Sequence, residues 1–123
     1  MTASVALVAH DALKDTIVEW AKSNAGVLCN FQLFATGTTG KRLQEDAGLS
    51  VNCLLSGPLG GDAQLGAMIA EGKLDALIFF IDPMTAVPHD VDVKSLLRLA
   101  ILYDTPLSVN RSSADAILAA LAS

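Results

Sequence analysis

The segment Ser56-Gly57-Pro58-Leu59-Gly60-Gly61-Asp62 ends on a carboxylate after three glycines and a proline have set the backbone up for a sharp bend. Pro58 fixes one φ angle while Gly60 and Gly61 release two others, so the chain can re-enter a helix close to Asp62. Taken alone, Asp62 reads as an N-cap, favourable by about 1 kcal/mol. A carboxylate at a loop edge can also take a proton from a substrate. The run Thr36-Gly37-Thr38-Thr39-Gly40 interleaves hydroxyls with glycine, which lets backbone N–H groups approach an anion while side chains add further donors. That composition suits a phosphate, although it is not the Walker pattern, and a glycine-rich turn with a threonine cap is the plainer alternative. Lys14, one turn into a neighbouring helix, could reach the same anion as a point charge. Ser56 and Gly57 could complete the cradle.

The two histidines, His10 and His89, both fall at the ends of expected strands, together with Asp11, Asp82, Asp90 and Asp92. An imidazole can donate to a carbonyl oxygen while a carboxylate accepts a proton, so these residues and Asp62 form a possible acid and base set. Metal ligation is the competing use, but no pair has the tight His/Asp spacing of a zinc or non-haem iron motif, and no metal is expected. Arg98 and Arg111 read as a surface salt-bridge residue and a solvated loop cation. Cys29 and Cys53 have no metal-ligand spacing and read as core thiols.

Positioning these groups on one rim requires a particular architecture. Ser4 to Ala9 is apolar and β-branched, and after Asp11 the residues Leu13, Ile17, Trp20 and Ala21 share a helical face. Further strands are expected at Phe31 to Ala35, Val51 to Ser56, Leu74 to Ile81 and Leu107 to Asn110. Helices are expected at Lys41 to Ala47, Asp62 to Glu71, Val91 to Tyr103 and Ser113 to Leu121. Strands apolar on both faces, alternating with amphipathic helices, predict a parallel sheet covered on both sides. The expected fold is therefore α/β, a single doubly wound Rossmann- or flavodoxin-like domain over residues 1–123 with five parallel strands. In such sheets ligands bind beyond the carboxyl ends of the strands, which is where the residues above lie.

The 123 residues are one domain's worth. Charged residues make up only 17% of a chain that is 52% hydrophobic, too few to clothe a small monomer, so some apolar surface should face other subunits. The longest apolar runs, Ala76 to Ile81 and Ala116 to Ala122, are far below the roughly 18 to 20 residues of a membrane span. No basic segment precedes the first apolar residues, so no secretory signal is read and a cytoplasmic location is expected. A net charge of -5 opposes general attraction to nucleic acid or anionic lipid, and neither is expected as a partner.

Read together, the rim segments resemble the methylglyoxal synthase family. They are Ala6 to Asp11 with Lys14, Ala35 to Gly40, Leu55 to Asp62, Glu71 to Lys73, and Phe80 to Lys94 followed by Leu96-Leu97-Arg98-Leu99-Ala100. The similarity continues through Pro106 to Asn110 and Ser113 to Asp115, so the ordered set covers nearly the whole chain. The resemblance implies conversion of dihydroxyacetone phosphate to methylglyoxal and inorganic phosphate, without metal or organic cofactor, in a homohexamer. By position it makes Asp62 the catalytic base and His89 the imidazole that engages the substrate's oxygens. It places Lys14, Thr36, Thr38, Thr39, Ser56 and Gly57 in the phosphate site, and His10, Asp82 and Asp92 along the pocket as further catalytic candidates. Many members continue past the position of Ser123 to a basic residue that reaches a neighbouring subunit's phosphate site, a contact the resemblance does not carry here. Two relatives by fold are the alternatives. The regulatory domain of carbamoyl phosphate synthetases has a similar phosphate site but needs neither Asp62 nor His89, and the purine-pathway cyclohydrolase suits the Ser56 to Asp62 segment less.

Overall fold

The structure is a computed structural model and describes residues 2–84 and 90–123. Five strands, β1 (Ser4–Ala9), β2 (Gln32–Thr36), β3 (Val51–Leu54), β4 (Ala76–Phe80) and β5 (Leu107–Ser108), alternate with helices. The helices are α1 (Lys14–Ser23), the short α2 (Ala25–Leu28), α3 (Gly37–Ala47), α4 (Gly61–Ala70), α5 (Asp90–Leu102) and α6 (Arg111–Ala122). Every strand pair is parallel, and the spatial order is β3-β2-β1-β4-β5. The expected doubly wound α/β sheet is thus present.

This order is one of those that the sequence's alternation of apolar strands and amphipathic helices allows. Parallel neighbours need a crossover, and crossovers are right-handed. From β1 the chain therefore winds outward through β2 to β3, then returns across the sheet and winds the other way through β4 to β5. Reversal puts the two sets of helices on opposite faces. Val5, Leu7, Leu33, Ile78 and Phe80 pack on one face with Ile17, Trp20 and Ala21 of α1, Leu43 of α3 and Leu118 of α6. Ala6, Val8, Leu77 and Phe79 pack on the other with Leu65 and Ile69 of α4 and Val93, Leu96 and Ala100 of α5. All five residues of β4 are buried, as expected of a strand covered on both sides. Each fully buried Leu, Ile or Phe contributes roughly 1.5 to 3 kcal/mol through removal of apolar surface from water. Trp20 is fully buried yet keeps its polar edge satisfied, because its Nε1 donates to Asp115 Oδ1 at 2.8 Å and so ties α1 to α6.

Several boundaries differ from the sequence reading for identifiable reasons. The third strand stops at Leu54, not Ser56, because Leu55 and Ser56 turn their carbonyls to Gly37 and Gly61 instead of continuing the ladder. The fifth ends at Ser108, since Asn110 is the N-cap of α6: its side chain accepts from the Ser113 amide at 3.0 Å. Thr36 to Gly40 is not a free loop, because Gly37 already starts α3. Both cysteines are exposed and not core thiols. Cys29 follows α2 and turns its thiol to the Gly26 carbonyl, while Cys53 lies on β3, an edge strand paired only with β2. Among the described residues, no helix is long and apolar enough to cross a membrane.

Candidate active site

The strand order reverses between β1 and β4, so the loops that leave their carboxyl ends run to opposite faces of the sheet and open a crevice there. A cleft of about 460 Å³ occupies that position, lined by His10, Lys14, Thr36 to Thr39, Ser56, Gly57, Asp62 and Asp82 among others. Most of the residues singled out by type and spacing are thus brought together. His89 lies outside the described residues. Asp92 is on the first turn of α5 by its backbone, and Arg98 is further along that helix, facing a shallow groove with Leu97 and Ile101 and not the cleft. Among the described residues, no three His, Cys, Asp or Glu side chains converge as metal ligands would.

One end of the cleft is built for an anion. α3 begins directly after β2, with Thr36 as its N-cap, so the amides of its first turn, including those of Thr38 and Thr39, have no carbonyl within the helix to bond. These amides and the positive end of the helix dipole favour a negative group. Lys14 Nζ donates to Thr38 Oγ1 at 2.6 Å and pairs with Asp11 Oδ1 at 2.9 Å. A lysine has three such donors, and a hydroxyl that accepts still has its own hydrogen to give. The pair therefore offers one N–H and one O–H outward. Lys14 is only a quarter exposed, whereas Asp11 is almost wholly solvated, so the ammonium is held at the cleft wall and the carboxylate at its mouth. Thr39 is 1% exposed and anchors the turn from within.

Ser56 and Gly57 meet this turn because glycine allows it. Gly37 has φ +48, and a Cβ there would come within 3.0 Å of Ser56 Cα and Cβ. The two crossover loops are consequently in backbone contact, and any side chain at Gly37 would separate them. After a 3-10 turn at Gly57–Leu59, Gly60 takes φ +119 and α4 begins. Gly61 is needed for a different reason than freedom of φ: a Cβ on it would fall 2.0 Å from the Leu55 carbonyl oxygen. The tight re-entry expected from sequence is present, but Gly60 is the N-cap, and Asp62 is the second residue of the helix, not its cap.

Asp62 therefore turns its carboxylate to the cleft. Both of its oxygens would lie 3.2 Å from a Cβ placed on Gly57, so the carboxylate is seated against the backbone of the anion loop. Its Oδ2 is shielded from solvent, as is Nε2 of His10. His10 extends β1 by donating its backbone N–H to the Phe80 carbonyl at 3.1 Å. Its ring is 8% exposed and sits edge-on to Phe79, with centroids 5.2 Å apart at 81°. Nδ1 accepts the Asp82 backbone N–H at 2.9 Å. An imidazole nitrogen that accepts carries no proton, so the neutral ring bears its hydrogen on Nε2 and is a donor there. Asp82 itself accepts the Met84 N–H through Oδ1 at 3.0 Å, which shapes the turn leaving β4. Hydrogen-bond donors for an anion and a carboxylate with an imidazole thus share one crevice.

Sequence reasoning missed Gln64, whose Oε1 accepts the Leu55 amide at 2.9 Å. A lone polar residue in an expected helix carries no local signal of such a bond. Only the spacing of nine residues across a glycine-rich bend hints that the two ends meet again.

Comparison with known proteins shows the family to which a chain of this fold is related. The family model described as MGS-like domain matches residues 16–109. A methylglyoxal synthase from Yersinia enterocolitica is 53% identical over 114 residues, covering 93% of this chain and 75% of that protein. One from Leptospira interrogans is 56% identical over 111 residues, covering 90% and 75%. The crystal structure of methylglyoxal synthase from Elizabethkingia anophelis superposes with a TM-score of 0.90 at 51% identity, over 95% of this chain and 77% of that one. A crevice at the strand-order reversal, with a carboxylate seated against its anion cradle, is thus found in a chain that belongs to the methylglyoxal synthase family of lyases.

Proposed function

We infer that the protein converts dihydroxyacetone phosphate to methylglyoxal and inorganic phosphate. The observation that carries this reading is the seating of the Asp62 carboxylate against Gly57, on the very loop that closes the anion cradle. A small phosphorylated substrate held by Lys14, Thr36, Thr38, Thr39, Ser56 and Gly57 then presents its carbon skeleton to a base at short range.

In the first step Asp62 takes a proton from the hydroxymethyl carbon next to the ketone. An ordinary aspartate, with a pKa near 3.9, is a weak base for such a proton unless the developing enediolate is stabilised at the same time. His10 is a donor at Nε2 for that oxygen, and His89 is assigned the same task. Asp82 fixes the His10 tautomer through its backbone, and Asp92, on the first turn of α5, is assigned to the proton traffic of the pocket. In the second step the C–O bond to phosphate breaks, its electron pair leaves with the phosphate, and the resulting enol tautomerises to methylglyoxal. Elimination requires that bond to stand roughly perpendicular to the enediolate plane, so the cradle must hold the phosphate out of the plane. The sequence of steps is redox-neutral and asks only for proton transfer and charge stabilisation, which these side chains supply without metal or organic cofactor.

The working form is a cytoplasmic homohexamer in this reading. Support comes from the low charge fraction of 17% and from the exposed Ile101, Leu102, Tyr103 and Val109. The test is direct: purified protein incubated with dihydroxyacetone phosphate should release methylglyoxal and phosphate in equal amounts. Release of neither, or isomerisation to the aldehyde phosphate, would reject the reading.

A further inference from the structure

We propose that Gln64 is a positioning residue that locks the base-bearing helix α4 to the anion cradle, so that Asp62 and the bound phosphate are held as one rigid unit. The proposal rests on the assignment of Asp62 as the base and of the α3 turn as the phosphate site.

α4 enters through a pair of glycines, with Gly60 at φ +119 followed by Gly61. Backbone hydrogen bonds hold this entry at its first residue, where the Gly61 amide reaches the Ser56 carbonyl at 2.9 Å. Further along, Leu65 and Ile69 pack on the sheet and set the roll of the helix as a whole, which leaves the first turn to be fixed against the loop it leaves. Roll decides where Asp62 points, because side chains project radially from the helix. Gln64 ties that first turn, which carries Asp62, to the loop by a side-chain bond. Residues two apart on a helix are turned about 200° from each other, so Gln64 grips from nearly the opposite side to Asp62.

The partner it grips is the Leu55 amide, at 2.9 Å, and Leu55 is the hub of the cradle. Its carbonyl accepts the Gly37 N–H at 3.3 Å, at the start of the α3 anion turn, and its neighbour Ser56 lies in backbone contact with Gly37. The chain of contacts therefore runs from Asp62 through α4 and Gln64 to Leu55, and from Leu55 to Gly37 and the cradle amides. Gln64 itself is exposed and does not line the cleft, so its effect on turnover must act through position. A displacement near 1 Å at a reacting centre costs on the order of 100-fold in rate.

The experiment compares Gln64→Met, which keeps the length but not the amide acceptor, with Gln64→Glu, which keeps an acceptor at the same reach. Both are measured beside the wild type for kcat and KM on dihydroxyacetone phosphate, for inorganic phosphate affinity by calorimetry, and for hydrogen exchange at the Leu55 amide. Gln64→Met should lose roughly 10- to 100-fold in kcat with phosphate affinity within about threefold of wild type. Gln64→Glu should stay within about fivefold in kcat, and Leu55 exchange should quicken roughly fivefold or more only in Gln64→Met. A Met variant at wild-type kcat, or Met and Glu variants equally impaired, would overturn the proposal. Should Gln64→Met fail to fold, Gln64→Asn, too short to reach Leu55, takes its place, and an Asn variant as active as the Glu variant overturns it equally. A wild type that leaves dihydroxyacetone phosphate untouched would sink the functional reading alone, while the exchange rates would still decide whether the tether exists: unchanged Leu55 exchange in Gln64→Met denies it.

Discussion

The proposed mechanism makes separable demands of Asp62 and Thr39, and single substitutions should divide them. Asp62→Asn keeps the shape of the side chain against Gly57 and removes the base, so kcat should fall by about 10²- to 10⁴-fold while affinity for inorganic phosphate is largely spared. Single-turnover kinetics and phosphate calorimetry on the same sample check both halves. Thr39 is buried at the cradle's base, so Thr39→Ala should raise KM first, with a smaller loss in kcat, because it loosens what positions the phosphate. Gly57→Ala is a sharper probe. Its new methyl would press on both carboxylate oxygens from 3.2 Å and shift Asp62 by a few tenths of an ångström. A loss of kcat on the order of tenfold, with the melting temperature nearly unchanged, is the expected outcome.

At the scale of elements, the glycines of the bend and the cap of α6 predict opposite patterns. Gly61→Ala drives a methyl into the Leu55 carbonyl at 2.0 Å, a backbone clash that no rotamer relieves. It should cost about 3 kcal/mol or more and abolish turnover together, read from chemical denaturation and the methylglyoxal assay. Asn110→Ala removes the cap on Ser113 far from the cleft and should cost about 1 kcal/mol with kcat unchanged. The alternation of apolar strands and amphipathic helices was enough to read the layers and to place His10, Thr36, Ser56 and Asp82 on one rim, because parallel strands all end on the same side. What escaped the sequence is contact between segments distant in the chain. Nothing local says that Gly61 must clear Leu55, that Gln64 must reach it, or that the amide of Asp82 settles the His10 tautomer. The exposed cysteines were misread for a similar reason, since residue type favours burial while an edge strand and a helix end leave room for solvent.

For the whole molecule, surface composition is the strongest lead. Ile101 is 75% exposed and Leu102 65%, with Tyr103 and Val109 also open, at the end of α5 and just beyond β5. Sedimentation equilibrium should give six times the mass of the chain, and Ile101→Asp should shift the distribution to smaller species. A wild type that sediments as a monomer at micromolar concentration would refute the assembly without touching the chemistry. The sheet's topology adds something else. The strand that delivers Ser56, Gly57 and Asp62 is one of the two edge strands, four residues long and fastened to a single neighbour. In the proposed mechanism catalytic competence is thus entrusted to the margin of the fold, and peeling that margin should silence turnover before the interior opens. An anion held in the proposed cradle would bridge the two loops as a clasp on the same margin, so substrate or phosphate at saturation should also fasten the border shut.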